Sequence, residues 1–272
     1  MNKQSWGKRL LNAPYLLWSA IFIIVPMIIV IYFAFTDKNG AFTLDNIISL
    51  QNYTGTLLMS VWYSVIATAI CLIISYPLAM IMSKKRANVQ RMMLLLIMLP
   101  MWMNLLIRTY SWMNILENNG IINNLLGQLG ISPIKMIGTP GAVIFGMVYN
   151  YLPFMVIPIY NVLSKLDNSL LEAAADLGAN TALRLRKVIF PLSLPGVISG
   201  ITMVFVPSVS TFYISQKLGG GKIMMIGDVI DRQIQTSYNY NLGASLSLVL
   251  MVLILISMIV MNKFDKDGEL IV

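Results

Sequence analysis

The sequence contains no histidine and a single cysteine, Cys71. Without histidine it lacks the commonest nitrogen ligand for transition metals and the side chain best suited to moving protons near neutral pH. One cysteine can build no internal disulfide framework, and Cys71, set in an apolar run, reads as packing or lipid-facing filler. Charge is scarce as well: Asp, Glu, Lys and Arg supply 11% of 272 residues, where soluble domains carry roughly a quarter. A phosphate-cradling G-x-x-x-x-G-K-[ST] loop is also missing, because Gly219-Gly220-Gly221 has no Lys-Ser/Thr after it and no strand pattern before it. That triplet reads as an external loop. These absences argue against a soluble enzyme, a metal centre and a nucleotide hydrolase.

What is present is apolar length, with 57% hydrophobic residues gathered into long runs. Runs of about 20 residues at 1.5 Å rise match a hydrocarbon core of about 30 Å, and a helix satisfies its own backbone where no water can. The expected fold is therefore all-α and polytopic, one membrane domain with about six transmembrane helices. The spans fall near 15–35, 61–82, 92–112, 141–161, 197–214 and 242–261. The third is interrupted late by Arg108, the fourth carries Pro153 and Pro158, and the fifth carries Pro207. Prolines inside a span imply kinks or a protein-lined cavity.

An even number of crossings puts both termini on one side, and loop charge selects which. Lys3, Lys8, Arg9, Lys84, Lys85, Arg86, Arg91, Lys165, Arg184, Arg186, Lys187, Lys263 and Lys266 share the side of the termini. Lys38, Arg108, Lys135, Lys217, Lys222 and Arg232 face the other. Thirteen against six places the termini in the cytoplasm by the positive-inside rule. The net charge of +8 thus follows topology rather than a nucleic-acid stripe. Trp6, Trp18, Trp62, Trp102 and Trp112 mostly fall near span ends, as interfacial aromatics do.

The cytoplasmic segment 163–190 reads as a helix-turn-helix. Ser169 and Glu172 have capping-box spacing, Gly178 can take the left-handed position that ends a helix, and a second short helix runs from Thr181 to Val188. Pro191 and Pro195 then mark the start of the next span. Singly, Glu172 is a cap and Ala173 and Ala174 are good helix formers. Together, Glu172-Ala173-Ala174, Gly178 and Val188-Ile189-Phe190-Pro191 resemble the EAA motif of ABC importer permeases, with Val-x-Phe-Pro standing where that family usually has Ile-x-Leu-Pro. The resemblance implies a type I importer permease (MetI-like) fold. It makes Glu172, Ala173, Ala174, Gly178 and Pro191 the contact through which a cytoplasmic ATPase dimer moves the spans.

Further segments resemble the permeases of spermidine/putrescine importers: Leu99-Pro100, Leu106 to Trp112, Glu117 to Gly120 with Asn123 and Leu126, Pro207-Ser208, Thr211-Phe212, Leu218 to Gly221, Met225 to Gly227 and Leu242 to Ala244. This likeness implies a bacterial inner-membrane subunit, non-catalytic, with a second homologous permease chain, an external substrate-binding protein and membrane lipid as its further partners. No cofactor belongs to the chain itself; ATP and Mg sit in the partner ATPases.

A polyamine calls for carboxylates and aromatic faces. Glu117, Asp228 and Asp231 fall near the outer face, and Tyr110, Trp112, Tyr149, Tyr151, Phe154, Phe212 and Tyr213 near span ends or kinks. Asp228 and Asp231 equally fit the first turn of a helix, and the aromatics equally fit interfacial anchors. Arg108, close to membrane depth, is a gate contact, an ion pair with Glu117 or the binding protein, or a side chain snorkelling outward. Asn104, Asn150, Ser208 and Thr211 are candidates to line the pathway, though small polar residues also serve helix packing. Competing readings are an importer of the same architecture for an opine, iron or an inorganic anion, a membrane-embedded enzyme, and a stand-alone channel. The enzyme lacks paired nucleophile and base at membrane depth.

Overall fold

The computed structural model describes residues 14–269, which are helical apart from turns and an isolated antiparallel bridge between Thr36 and Phe42. Lys3, Trp6, Lys8 and Arg9 lie outside the described residues. Two compact units form, one from residues 14–54 with 229–252, the other from 55–228 with 253–269.

In the first unit, α1 (Pro14–Ala34) has a strongly apolar window of which none is buried. A helix apolar on every side suits lipid or a partner helix rather than water. It widens into a π turn at Ala20–Ile24, just ahead of Pro26, whose missing N–H and bulky ring a regular turn would not accommodate. The carbonyls orphaned where α1 ends are met by the start of α11 (Tyr240–Glu269). Asn241 Nδ2 donates to Thr36 O at 2.7 Å and Phe33 O at 3.2 Å, and Ser245 Oγ to Ala34 O at 3.1 Å. Asp37 Oδ1 accepts the N–H groups of Asn39 and Ala41, each at 2.8 Å, and so closes the turn beside the bridge.

The second unit is organised by α2 (Thr54–Ser83), α6 (Pro140–Leu163) and α8 (Thr181–Val209). On α2 the buried positions are Ser60, Ser64, Ala67, Thr68, Cys71, Ser75, Ala79 and Met82, a stripe of small residues at helical spacing. Three of its hydroxyls bond back one turn, Ser60 to Thr56 O, Ser64 to Ser60 O and Thr68 to Ser64 O, each at 2.7 Å, while Ser75 Oγ is buried with no partner among the described residues. A polar side chain satisfied within its own helix can be buried without a desolvation cost, which lets backbones approach. Helices α6 and α8 come closer still, because a Cβ on Gly196 would lie 2.8 Å from Pro158 O. Around this contact Met82, Met155, Val156, Ile159, Val197 and Val204 form one core. A second core joins Ala67, Val143, Met147 and Leu116 to Ile214, Leu218 and Met225.

Among the described residues, five helices are long and apolar enough to cross a bilayer, or six if one bent pair counts as a span. That pair corrects the expected continuous run over 92–112. Helix α3 (Ala87–Trp102) stops and α4 (Leu105–Leu116) restarts, with a 91° bend between α3 and the segment Leu105–Gln128. Met103 is extended at the break (φ −80°, ψ 145°), and the Asn104 side chain accepts the Leu106 N–H at 2.8 Å, an N-cap where span interior was expected. The fifth run is corrected at both ends. Its helix begins at Thr181, passing through a π turn at Leu185–Ile189 before Pro191, and stops at Val209 rather than continuing to Ile214. Wider hydrogen bonding in the π turn accommodates the proline without ending the helix.

Candidate functional site

Two places gather the residues singled out above. The first is the hairpin between α6 and α8. Helix α7 (Asn168–Asp176) is capped by Asp167, whose Oδ1 accepts the Ser169 N–H at 2.9 Å. The expected Ser169–Glu172 capping box is thereby corrected: the helix starts one residue before Ser169, because the Asp167 carboxylate just upstream already accepts the orphan Ser169 N–H. That bond holds the Asp167 carboxyl below the usual carboxylate range.

At the far end Gly178 has φ +78°, its N–H donates to Ala175 O at 2.8 Å and the Ala179 N–H to Ala174 O at 3.0 Å. This is the Schellman pairing, and it needs a residue at ease in the left-handed region. No atom lies within 4 Å of a Cβ added at Gly178, so dihedral preference rather than space demands glycine. Asn180 then caps α8 through its Oδ1, which accepts the Leu183 N–H at 2.8 Å. Leu166 and Leu171 pack onto the first core, which anchors the hairpin, while Glu172 and Ala173 are exposed and Leu177 is 87% exposed at the tip. Ala174 and Pro191 are half-buried.

The second place lies at the break of the third span. Arg108, 8% exposed, donates from Nη1 to Pro100 O at 2.6 Å and lies over the Tyr149 ring with its guanidinium carbon 5.8 Å from the centroid. Pro100 O also accepts the Met103 N–H at 3.2 Å where α3 ends, and the guanidinium takes the second lone pair of this carbonyl in place of the next turn's N–H. Of the alternatives for Arg108, the pair with Glu117 is the one this geometry disfavours: the guanidinium turns back to Pro100, while Glu117 sits nine residues on, at the far end of α4, about 13 Å along the axis. Trp112, one turn after Arg108, meets Tyr149 edge-on at 5.1 Å and Phe145 at 4.6 Å. On another face of α4 Tyr110 pairs with Tyr213 at 6.3 Å.

Tyr151 packs on Phe154 at 6.5 Å and donates its hydroxyl to Pro207 O at 3.3 Å, next to buried Ser208. Ser208 itself bonds back to Val204 O at 2.6 Å, and Asn150 Nδ2 to Gly146 O at 2.7 Å, leaving Asn150 Oδ1 buried with no partner among the described residues. Thr211 is buried, and Phe212 and Asn104 are exposed.

Asp228 is buried in the first turn of α10 (Ile226–Gln235), its Oδ2 accepting the Met225 N–H at 2.7 Å, the helix-start arrangement. The neighbouring Ile226 N–H donates to Ser60 Oγ at 2.8 Å and ties this turn to α2. Glu117 lines a separate cavity of about 390 Å³ with Asn118, Asn119, Lys135, Gly138 and Lys222. There the ammonium of Lys222 holds Lys135 below the ordinary lysine range.

The sequence reading missed Phe145 and Lys217. Phe145 is one turn before Tyr149, and Lys217 one turn after Tyr213, so helical spacing was the available signal. Nothing in the sequence joins Lys217 to Tyr110.

Residues 75–267 match the family described as "Binding-protein-dependent transport system inner membrane component". The chain is 40% identical over 232 residues to the spermidine/putrescine transport system permease protein PotB of Haemophilus influenzae, covering 82% of this chain and 81% of that one. With PotB of Escherichia coli it shares 39% identity, over 79% of this chain and 82% of the relative. A solved bacterial ABC transporter that imports the acidic polysaccharide alginate superposes with TM-score 0.78 at 16% identity, over 97% of this chain and 96% of that one. The likeness extends to that transporter's complex with an alginate-pentasaccharide-bound periplasmic protein, TM-score 0.78 at 15% identity, over 97% and 96%. At such identity these structures speak to fold alone.

Proposed function

The chain belongs to the binding-protein-dependent transport system inner membrane component family, and from that premise we propose that it forms half of the translocation pathway of an ATP-driven importer of spermidine and putrescine. It is a multi-pass membrane protein, and the reading places both termini in the cytoplasm. A second, homologous permease chain completes the pathway, an ATPase dimer binds the cytoplasmic face, and an external binding protein delivers substrate. ATP and Mg belong to the ATPases, and this chain moves substrate without covalent chemistry.

The observation that carries coupling is the hairpin at α7. It is fastened to the core on one side by Leu166 and Leu171, and presents Glu172, Ala173 and the apolar tip Leu177 on the other. An exposed leucine at a rigid turn has no purpose in water, and a rigid lever transmits a push where a loose loop absorbs it. Small Ala173 and Ala174 permit close approach by a partner. Past the turn, α8 runs from Thr181 to Val209 without a break, so displacement at Gly178 is passed to the span packed on α6. Alternating access follows when nucleotide closes the ATPases and opens the bundle on the opposite face.

The polyamine assignment draws on the two PotB relatives and on the aromatic groups along α4 and α6, whose ring faces attract ammonium groups. Uptake of labelled putrescine by cells carrying the operating transporter is expected to be competed by unlabelled putrescine and spermidine. Competition by an opine, iron or an inorganic anion instead would overturn the substrate assignment.

A further inference from the structure

Helix α9 (Tyr213–Leu218) places Lys217 one turn beyond Tyr213, on the same face. Lys217 Nζ lies 4.8 Å from the centroid of the Tyr110 ring and 5.7 Å from that of Tyr213. The two rings meet at 6.3 Å and 70°, so one ammonium sits within cation–π range of both members of an edge-to-face pair. Tyr110 stays 43% exposed, and Lys217 is held above the ordinary lysine range, chiefly by hydrogen bonding with the Tyr110 side chain. Arg108, on the other face of α4, is committed to Pro100 O and Tyr149.

A lysine side chain is a primary ammonium on four methylenes, which is also the terminal portion of putrescine. We propose that Tyr110 and Tyr213 form an ammonium subsite of the permease, occupied here by Lys217 as a tethered stand-in, and that a terminal ammonium of the diamine takes its place during transport. The inference rests on the polyamine reading above. It assigns Lys217 the role of keeping the aromatic pair filled, and so closed to water and inorganic cations, until substrate arrives.

The test uses the complete transporter in proteoliposomes, with binding protein present throughout. Lys217→Cys introduces a thiol where the native one, Cys71, is buried, and labelling by aminoethyl methanethiosulfonate from the binding-protein side is read on this chain. Putrescine is expected to slow labelling by about fivefold, the occupancy ratio that one ring contact supports, and Tyr110→Leu in the same background to abolish the protection. Protection that survives Tyr110→Leu would reflect shielding by the docked binding protein and overturn the subsite. In parallel, Tyr110→Phe and Tyr213→Phe, which keep the ring faces, are expected to hold putrescine uptake within about twofold, and Leu at either position to lower it by about fivefold at equal membrane abundance. Wild-type uptake in the Leu variants, or unchanged labelling in a transporter that does move putrescine, removes the subsite alone. Failure of the wild-type transporter to move putrescine or spermidine removes the polyamine reading and the subsite with it.

Discussion

Gly178 illustrates what a single residue decides. Its φ of +78° sets the turn, and open space surrounds the missing Cβ. Gly178→Val is therefore expected to strain the turn by about 1–2 kcal/mol without clashing, whereas Gly178→Asn, tolerated in that region, is expected to behave nearly as wild type. The check is substrate-stimulated ATP hydrolysis at matched membrane abundance, which falls for Val and holds for Asn. Gly196 is the opposite case, because space rather than dihedral preference demands it. A methyl group 2.8 Å from Pro158 O and 3.2 Å from Ile159 Cα meets backbone. Gly196→Ala is expected to destabilise by about 1–3 kcal/mol, seen as a lower Tm of the purified transporter.

Among the elements, the α7 hairpin derives its order from local devices at each end, which makes it sensitive to acid. Asp167 has a folded pKa below the value of about 3.9 that an unfolded Asp has, because its ionised form accepts the Ser169 N–H. A depressed carboxyl contributes stability above the unfolded pKa and loses it as pH falls through the folded one. A nitroxide on Leu177→Cys is expected to gain mobility as pH drops below about 4, and Asp167→Asn, which caps without ionising, is expected to suppress the change. Unaltered acid response in Asp167→Asn would detach the hairpin's order from this cap. The broken third span is an element of another kind. A guanidinium on the carbonyl of Pro100, together with the Asn104 cap, stabilises the 91° bend that hydropathy alone reads as continuous.

At the scale of the whole chain, everything proposed depends on which side of the membrane each loop faces. Thiol-labelling of intact cells with an impermeant reagent is expected to modify Lys222→Cys and to spare Leu177→Cys until the membrane is opened. Labelling of Leu177→Cys in sealed cells would place the hairpin outside, beyond reach of any ATPase, and would end the coupling assignment. The exposed apolar surface of α1 suits this setting, since lipid or a partner helix is what such a helix can face.

The spans, their prolines and the Gly178 turn were legible in the linear sequence because each rests on neighbours in the chain. In lipid a backbone must pair with itself, so apolar length reads directly as helix, and a Schellman turn uses bonds no longer than five residues. Tertiary structure alone decided that the run over 92–112 breaks at Met103, that the fifth helix ends at Val209, and that Arg108 reaches Pro100 rather than Glu117. It alone brought Lys217 onto Tyr110 and Ser60 onto the start of α10. Hydropathy sums what a segment contains, whereas these contacts depend on which face of one helix meets which face of another, and that register emerges only when small residues such as Gly196 let the helices close.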